Sequence, residues 1–351
     1  MSSLPNYGRR QARGGQLWAE PLAPVSGNGH MAPYRGQTYY DRPAIKPSHY
    51  RWLITGYLFS GGIAGASQII ATVADLFGGR EHRGAVRAGR YVALAAAMAS
   101  PVCLILDLHT PKRWYNMMRI FRPTSPMSIG SWTLAGFGTF TGVAALGQLI
   151  SDLTGGVLGR GLARFGGVPA AAGGMVMSCY TGSLLSATSV PFWAAVHRLL
   201  PPLFGTSAMS TGAAATSIAL DATGASEAAH KGLERIALAA SATELVLTLA
   251  CDKEWKAQHV DSPIEHRPDM ARAYKIGVLG FGILVPLVIH AVQVLTGRRS
   301  KVATKVADAS ALAGGFVQRA VMTFGGNDSA ERPRDYFRFA QPAANGRGVA
   351  A

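Results

Sequence analysis

The residues best suited to proton chemistry lie in one polar segment between two apolar stretches. Asp107 and His109 close the first stretch, and Ser125 shortly precedes the second. The basic residues between them are Lys112, Arg113, Arg119 and Arg122. Ionisable groups at the edge of a membrane are costly unless they are paired or have a task. An acid and an imidazole two residues apart indicate acid–base chemistry; the alternative is an ion pair between Asp107 and Lys112 or Arg113.

A second set of ionisable residues lies inside apolar stretches. Glu244 is in the middle of one, so its carboxyl should be protonated or paired with a group on another helix. His290 and Gln293 are three residues apart, share one helix face and are possible partners. We predict a proton path through Glu244 and His290; the alternative is an ordinary hydrogen bond between helices.

The composition is that of a membrane protein. Of 351 residues, 48% are hydrophobic and only 15% are charged, whereas soluble domains carry about 25% charged residues. The net charge of +15 would suggest nucleic acid in a soluble protein, but no basic–aromatic recognition module is present in the sequence. We therefore expect a lipid bilayer as the surroundings and no nucleic-acid partner.

The apolar stretches predict an all-α integral membrane protein with eight transmembrane helices, each about 20 residues long. They lie near residues 52–74, 90–108, 129–151, 170–196, 206–223, 232–251, 274–296 and 302–323. Lys and Arg are more frequent in the loops on the side that carries both termini. Because such residues concentrate on the cytoplasmic side, both termini are predicted to be cytoplasmic.

The domain organisation follows from these stretches. Residues 1–50 are rich in Pro, Gly and Arg and are predicted to form an irregular arm. This arm is either a disordered tail or a segment that orders on partner subunits. Residues 51–324 form the predicted membrane domain, and residues 325–351 a polar C-terminal tail.

Cysteine and histidine positions bear on metal centres. Cys103, Cys179 and Cys251 form no Cys-x-x-Cys motif, so neither an iron–sulfur cluster nor a zinc site is predicted in this chain. Of nine histidines, only His290 is well inside an apolar stretch. No pair of histidines at similar depth is available as axial ligands, so no haem is predicted.

Several segments resemble, in order, those of one family of membrane subunits. They are the glycine-rich stretch 52–68, the polar segment 107–132, the Tyr-Thr-Gly run at 180–182, the exit at 200–204, and the stretches 277–287 and 313–322. From Arg51 to about Asp328, the chain resembles the membrane subunit of polysulphide-reductase-type complexes, the NrfD/PsrC family. It departs from the family pattern at His109, where members often have glycine.

The resemblance implies an architecture and partners. Members have eight helices in two four-helix bundles and bind quinone, such as menaquinone, without haem or metal of their own. They exchange electrons with a ferredoxin-like [4Fe–4S] subunit, which connects to a molybdenum or tungsten catalytic subunit, as in polysulphide reductase or formate dehydrogenase, or to a multihaem cytochrome. The chain is then a quinone-binding subunit of a respiratory electron-transport complex in the cell (inner or plasma) membrane, and whether it is itself an enzyme stays undecided.

The resemblance also suggests a quinone pocket. Quinol oxidation needs hydrogen bonds to the quinol oxygens and a base with a suitable pKa. We expect Asp107 and His109 to act as acid or base, and the hydroxyls of Tyr57 and Tyr180 and the amide of Gln68 to bind quinone. The alternatives for these last three residues are helix packing and bridging.

Two further residues, Arg113 and Ser125, are assigned to the mouth of the site or to contact with the partner. Ser125 is equally suited to cap the third helix, because Thr-Ser-Pro is a typical helix start. The loop 252–275 carries many charges of both signs; it is either a docking face for a peripheral subunit or a solvated loop.

Two other functions remain open at this point. Glu244, Asp107 and the prolines inside the helices would suit a secondary transporter or proton channel. Such proteins usually carry an internal repeat, and no convincing repeat is visible in this sequence. A structural anchor without quinone chemistry would leave electron transfer unchanged when Asp107 is replaced by Asn.

Overall fold

The computed structural model describes residues 45–222 and 226–340, and within them all regular structure is helical. The predicted arm up to residue 44 and the tail from residue 341 lie outside the described residues. The helices are α1 (Trp52–Phe77), α2 (Arg83–Asp107), α3 (Pro126–Thr154), α4 (Val157–Ser186), α5 (Leu200–Asp221), α6 (Glu227–Ala257), α7 (Pro268–Thr296), α8 (Lys301–Glu331) and α9 (Pro333–Ala340).

Shorter helical turns connect the long helices. Two are 3₁₀ helices, Arg80–His82 before α2 and Pro111–Met118 after it. Single α-helical turns, Pro191–Ala194 and Ser262–Glu265, precede α5 and α7. Within α7, Ala273–Leu284 is π-helical; such segments are wider than an α-helix and often occur near functional sites.

Local sequence signals explain several helix ends. Ser125 caps α3, because its side chain accepts a hydrogen bond from the Ser128 amide, and Pro126 takes the first helical position. The helix ends at Gly155, whose φ of 65° is the left-handed conformation that glycine adopts at little cost. Ser226 and Ser300 cap α6 and α8 in the same way.

Helices α1 to α4 pack mainly against one another, and α6 and α8 pack against α5 and α7. The two groups meet along α5, which crosses α1 and also packs against α2 and α4. A Cβ atom added to Gly212 would lie 2.6 Å from that of Ala66, so this crossing depends on small residues. Close approach through glycine and alanine is typical of helices packed in membranes.

The helical membrane class predicted from composition is confirmed. Within residues 45–222 and 226–340, four helices are long and apolar enough to cross a membrane: α1, the segment Arg80–Asp107, α3 and α7. The remaining long helices, α4, α5, α6 and α8, are less apolar. Large hydrophobic side chains such as Leu153, Phe165 and Leu295 are exposed on the outside of the helices, as expected where lipid is the solvent.

Two predicted boundaries differ from the structure. The stretch 170–196 was expected to be one span, but α4 covers Val157–Ser186, and a separate turn starts at Pro191. The residue before a proline is driven out of the helical conformation, and Val190 is extended here. The expected end of the membrane domain at residue 324 falls inside α8, which continues to Glu331.

Candidate functional site

The C-terminal end of α2 meets the segment that precedes α1. Asp107, the last residue of α2, is half-buried, and its nearest ionisable neighbours are His49, Arg51 and His109. The rings of His49 and His109 lie edge to face with centroids 5.7 Å apart. Asp107 therefore lies among groups that can carry a positive charge or a proton.

Three tyrosines come together behind this carboxyl. Tyr57 is buried in α1, and it lies close enough to Tyr50 and Tyr180 for electrostatic interaction between their hydroxyls. Burial, and after it the negative charge of Asp107, raises the pKa of Tyr50 above its ordinary value. Tyr50 therefore stays a neutral hydroxyl, able to donate a hydrogen bond, at any physiological pH.

The hydroxyls of Tyr57 and Tyr180 differ in their partners. The Tyr180 hydroxyl donates to the Pro126 carbonyl, and a Cβ atom at Gly130 would overlap it. Tyr180 thus ties α4 to the start of α3. The Tyr57 hydroxyl makes no hydrogen bond to any residue in the described part of the chain. The backbone carbonyl of Tyr57 accepts one from the Ser100 hydroxyl. Of the two, only Tyr57 has a hydroxyl available to a ligand.

Residues of α8 hold the segment before α1 in place. Asn327 accepts a hydrogen bond from the Ser48 amide (3.1 Å) and donates one to the Tyr50 carbonyl (2.9 Å). The ring of Tyr50 lies 6.1 Å from that of Trp193, whose indole donates to the Met322 carbonyl. Tyr50 and His49 therefore have a fixed position beside Asp107.

The structure places two predicted residues at the rim. Arg113 is exposed on the 3₁₀ helix Pro111–Met118, and Ser125 serves as the cap of α3. In residues 45–222 and 226–340, Asp107 forms no ion pair with Lys112 or Arg113. The structural ion pair predicted as the alternative for Asp107 is thus not observed in these residues. The helix cap predicted as the alternative for Ser125 is observed.

Gln68 lies far from this site. Its amide nitrogen donates to Thr72 (3.0 Å) and approaches the Gly167 carbonyl, and its amide oxygen is buried without a partner. Eleven residues separate it from Tyr57 on α1, which is about 16 Å along a helix at 1.5 Å per residue. The structure does not bring Gln68 together with Asp107, His109 and the tyrosines.

Beyond Gln68, ion pairs join α1 to α4 at the helix ends that lie away from Asp107. We call this end of the molecule the far end. The buried Arg90 binds Asp75 (2.9 Å) and Gln148 (2.7 Å), and Arg164 also binds Asp75. Asp152 pairs with Arg87 and accepts a hydrogen bond from Tyr91. Every charge in this cluster has an opposite partner, so the cluster is suited to fastening helices.

Glu244 is buried in α6 and has polar partners on two other helices. Gln318 of α8 donates to its carboxylate (3.0 Å), and Ser207 of α5 also hydrogen-bonds it. The fully buried Arg319 donates to Gln318 (2.6 Å) and to Ser207, and its guanidinium lies over the ring of Phe204.

His290 has a different partner from the one that the sequence suggested. Its Nε2 lies 3.9 Å from Asp308 of α8, while its Nδ1 and one Asp308 oxygen are buried without a partner. Gln293, also proposed as a partner of Glu244, accepts instead from Thr304. Glu244 and His290 thus belong to two separate groups of side chains.

Comparison of the sequence with known protein families shows the family to which the chain belongs. Residues 44–328 match the family described as polysulphide reductase, NrfD. The chain belongs to the NrfD family. The predicted resemblance is thereby confirmed over most of the chain, and NrfD proteins are membrane subunits of quinone-linked oxidoreductases. A search of curated proteins found no match.

The sequence reasoning missed several residues of this NrfD chain. His49 and Tyr50 were assigned to the irregular arm, and Asn327 to the tail, although they form or support the site. A signal was present, because the aromatic and basic run at 48–52 immediately precedes the first apolar stretch, as Asp107 immediately follows the second. Asp308 and Arg319 were also missed.

In the described ranges, no group of three or more His, Cys, Asp or Glu side chains is arranged to hold a metal ion. The residues around Asp107 in this NrfD protein have the chemistry needed to hydrogen-bond a quinone ring. They offer hydroxyl and imidazole hydrogen-bond donors, a carboxylate, and the half-buried aromatic ring of Tyr50.

Proposed function

We propose that this NrfD subunit binds quinone, such as menaquinone, beside Asp107 and transfers electrons between the quinone pool and a ferredoxin-like [4Fe–4S] subunit. That subunit is in turn linked to a molybdenum or tungsten catalytic subunit. One observation carries the proposal: the Tyr57 hydroxyl, which has no partner in the described part of the chain, lies behind the cluster of His49, Asp107 and His109.

The polar groups of this site match the two oxygens of a quinone. Tyr57, deep in the site, is placed to donate a hydrogen bond to one oxygen. Asp107, at the end of α2, and Tyr50 are placed to bind the other. Because burial strengthens electrostatic interactions, such hydrogen bonds orient a ring that is otherwise held only by apolar contact.

When bound as quinol, the ligand supplies two electrons to the partner cluster and two protons to the protein. Asp107 is half-buried and takes protons as a carboxylate. His49 and His109 are exposed at its side and pass them to water. The same residues return protons when electrons flow toward quinone.

The surface beside this site suits a peripheral subunit. Trp114, Tyr115 and Phe121 are exposed on and just after the 3₁₀ helix Pro111–Met118, among the basic side chains of Lys112 and Arg113. Exposed aromatic and Arg side chains are typical of protein interfaces. The charged segment 252–275, predicted as a loop, instead comprises the last turns of α6, a short connection and the start of α7; it lies at the same end of the molecule and extends this surface.

The membrane arrangement is also part of the proposal. We infer that α1 to α8 all cross the bilayer, as two bundles of four helices, with both termini and the Asp107 site on the cytoplasmic side of the cell membrane. The packing of α1 to α4 against one another, and of α6 and α8 against α5 and α7, supports the bundles. The distribution of Lys and Arg supports the orientation.

Purification of the tagged chain from native membranes tests this proposal. We expect a ferredoxin-like subunit, molybdenum or tungsten, and quinone to co-purify with it in stoichiometric amounts, and the clusters to be reduced by added quinol. A chain that purifies without metal and quinone, under conditions that keep other respiratory complexes intact, would contradict it and favour a transporter.

A further inference from the structure

Three helices of the second group place polar or small residues along one shared line. On α5 the positions are 207, 210, 214, 217 and 221; on α6 they are 230, 234, 237, 241 and 244; on α8 they are 304, 308, 311, 315 and 318. The spacing of three or four residues keeps each set on one helix face. We call these positions the polar file. Buried polar residues inside a membrane protein are expensive and generally functional.

The file opens at the far end, away from Asp107. Arg299 donates to Glu234 (2.9 Å) and to His230 (2.8 Å), and His230 lies 3.3 Å from Asp221. A small cavity of about 130 Å³, lined in part by Lys231, Glu234 and Arg299, opens to the outside here. Water therefore has access to a carboxylate at the start of the file.

The next level of the file contains Asp308. It hydrogen-bonds Ser217 of α5 and lies 3.9 Å from the Nε2 atom of His290. The second carboxyl oxygen of Asp308 and the Nδ1 atom of His290 have no protein partner, although both side chains are almost fully buried. Buried polar atoms are nearly always satisfied by protein or by water, so we assign a water molecule to each of these two atoms.

The level nearest to the site contains Glu244. Ser210 and Ser241 hydroxyls, 3.3 Å apart, lie on the approach to it, and Gln318 and Arg319 lie on its other side. A Cβ atom at Gly62 of α1 would be 3.5 Å from the Arg319 guanidinium. The file thus ends where the two groups of helices meet, five residues along α1 from Tyr57, or about 7 Å.

Small residues occupy the interval between the Asp308 and Glu244 levels. Ala214, Ala237 and Ala311 are buried there, one from each helix. From Ser210 to Ser217 the helix advances about 10 Å. A line of about three hydrogen-bonded water molecules spans that distance.

We propose that the polar file conducts protons between the far end and the quinone site, with Asp308 and Glu244 as its proton-exchanging carboxyls. The inference rests on the proposed quinone function and adds to it a proton movement across the membrane. Each proton is passed between carboxyl, water and hydroxyl groups without change of redox state. The electrons leave separately, through the iron–sulfur partner at the opposite end.

The experiment uses the intact complex in sealed liposomes, with quinol as reductant and a soluble acceptor for the partner subunit. Proton release or uptake at the far side is followed with a pH dye, together with electron flow. We expect Glu244→Gln and Asp308→Asn to lower far-side proton movement per electron at least about tenfold, as expected when a proton-relaying group is removed. Glu227→Gln is the matched control, because Glu227 is an exposed carboxylate at the start of the same helix.

The outcomes separate the two proposals. Unchanged far-side proton movement per electron in Glu244→Gln would overturn the proton file and leave the quinone site intact. Absence of quinol-dependent electron flow in the wild-type complex would instead contradict the quinone function.

A second measurement needs neither turnover nor a variant. Carbodiimides react with protonated carboxyls in apolar surroundings, so dicyclohexylcarbodiimide applied to wild-type membranes should label Glu244 and Asp308 and leave Glu227 unlabelled. Absence of label on both buried carboxyls, in protein shown to be folded, would overturn the inference.

Discussion

The imidazoles of His49 and His109 lie edge to face, with ring centroids 5.7 Å apart. One precedes α1 and the other follows α2, so the pair closes the site end of this helical hairpin beside Asp107. Two imidazole rings at the exposed edge of a half-buried carboxyl give that carboxyl a short route to water.

Asp107→Asn should lower the rate of quinol oxidation by the complex about a hundredfold, the scale of a lost acid–base group. The amide keeps the shape of the side chain but cannot take a proton, so KM should change little. Glu227→Gln is the control, because Glu227 is an exposed carboxylate paired with Lys231 at the far end, away from the site and the proposed partner surface. Equal rates in wild type and Asp107→Asn would indicate that the subunit is an anchor without quinone chemistry.

Tyr57→Phe and Tyr180→Phe should have opposite consequences. Removing the available Tyr57 hydroxyl should weaken quinone binding about three- to tenfold, the value of one hydrogen bond, and leave thermal stability nearly unchanged. Removing the Tyr180 hydroxyl breaks its bond to Pro126 and should lower stability by about 1 kcal/mol. Quinone titration and thermal unfolding of both variants measure this; weaker binding in Tyr180→Phe alone would refute the assignment of Tyr57.

Gln68→Leu should leave the kinetics with quinol unchanged, because Gln68 lies about 16 Å along α1 from Tyr57. It should lower thermal stability, since the Thr72 contact is lost and the carbonyl of Gly167 loses a donor. Steady-state kinetics and thermal unfolding of the variant complex test both parts. A raised KM for quinol would place Gln68 in the quinone pocket after all.

Docking of α9 should depend on pH through Asp335. This carboxyl is buried and accepts a hydrogen bond from Ser262 (2.5 Å), and burial raises its pKa from 3.8 to about 6. Because the pKa is higher in the folded chain, the carboxyl contributes full stability below about pH 4 and loses it as the pH rises through about 6. Hydrogen exchange of residues 333–336 should therefore quicken from pH 5 to 7, after correction for its intrinsic pH dependence.

Asp335→Asn supplies the control for that measurement. The amide carries no charge, so α9 should stay protected across the same pH range and be better protected than wild type at pH 7. A wild-type protein whose protection is as insensitive to pH as that of the variant would show that Asp335 does not titrate in this range.

The sequence predicts the helices well but not their contacts. Apolar stretches identified α1 and α7 within a few residues, and the Thr-Ser-Pro start of α3 proved to be a cap. These features depend on residues close together in the chain. By contrast, whether Gln68 or Tyr57 lies near Asp107 depends on how α1 is aligned with its neighbouring helices. Because both residues lie on the same apolar helix, the sequence alone could assign either one to the quinone site.

For the same reason, the sequence could not predict which buried polar groups are partners. Glu244 was correctly expected to need a partner, but the choice of Gln318 over His290 depends on the contacts among α6, α7 and α8. The three-to-four spacing of polar residues on α5, α6 and α8 was visible in the sequence. Only their meeting in space makes it a continuous file.

Photolabelling of the intact complex with an azido-quinone tests the central claim most directly. We predict covalent adducts in residues 49–57 and 107–109, suppressed by excess unlabelled quinone and weakened by Tyr57→Phe. Adducts confined to the far end, around Gln68 and Arg90, or adducts on partner subunits alone would contradict a quinone site beside Asp107.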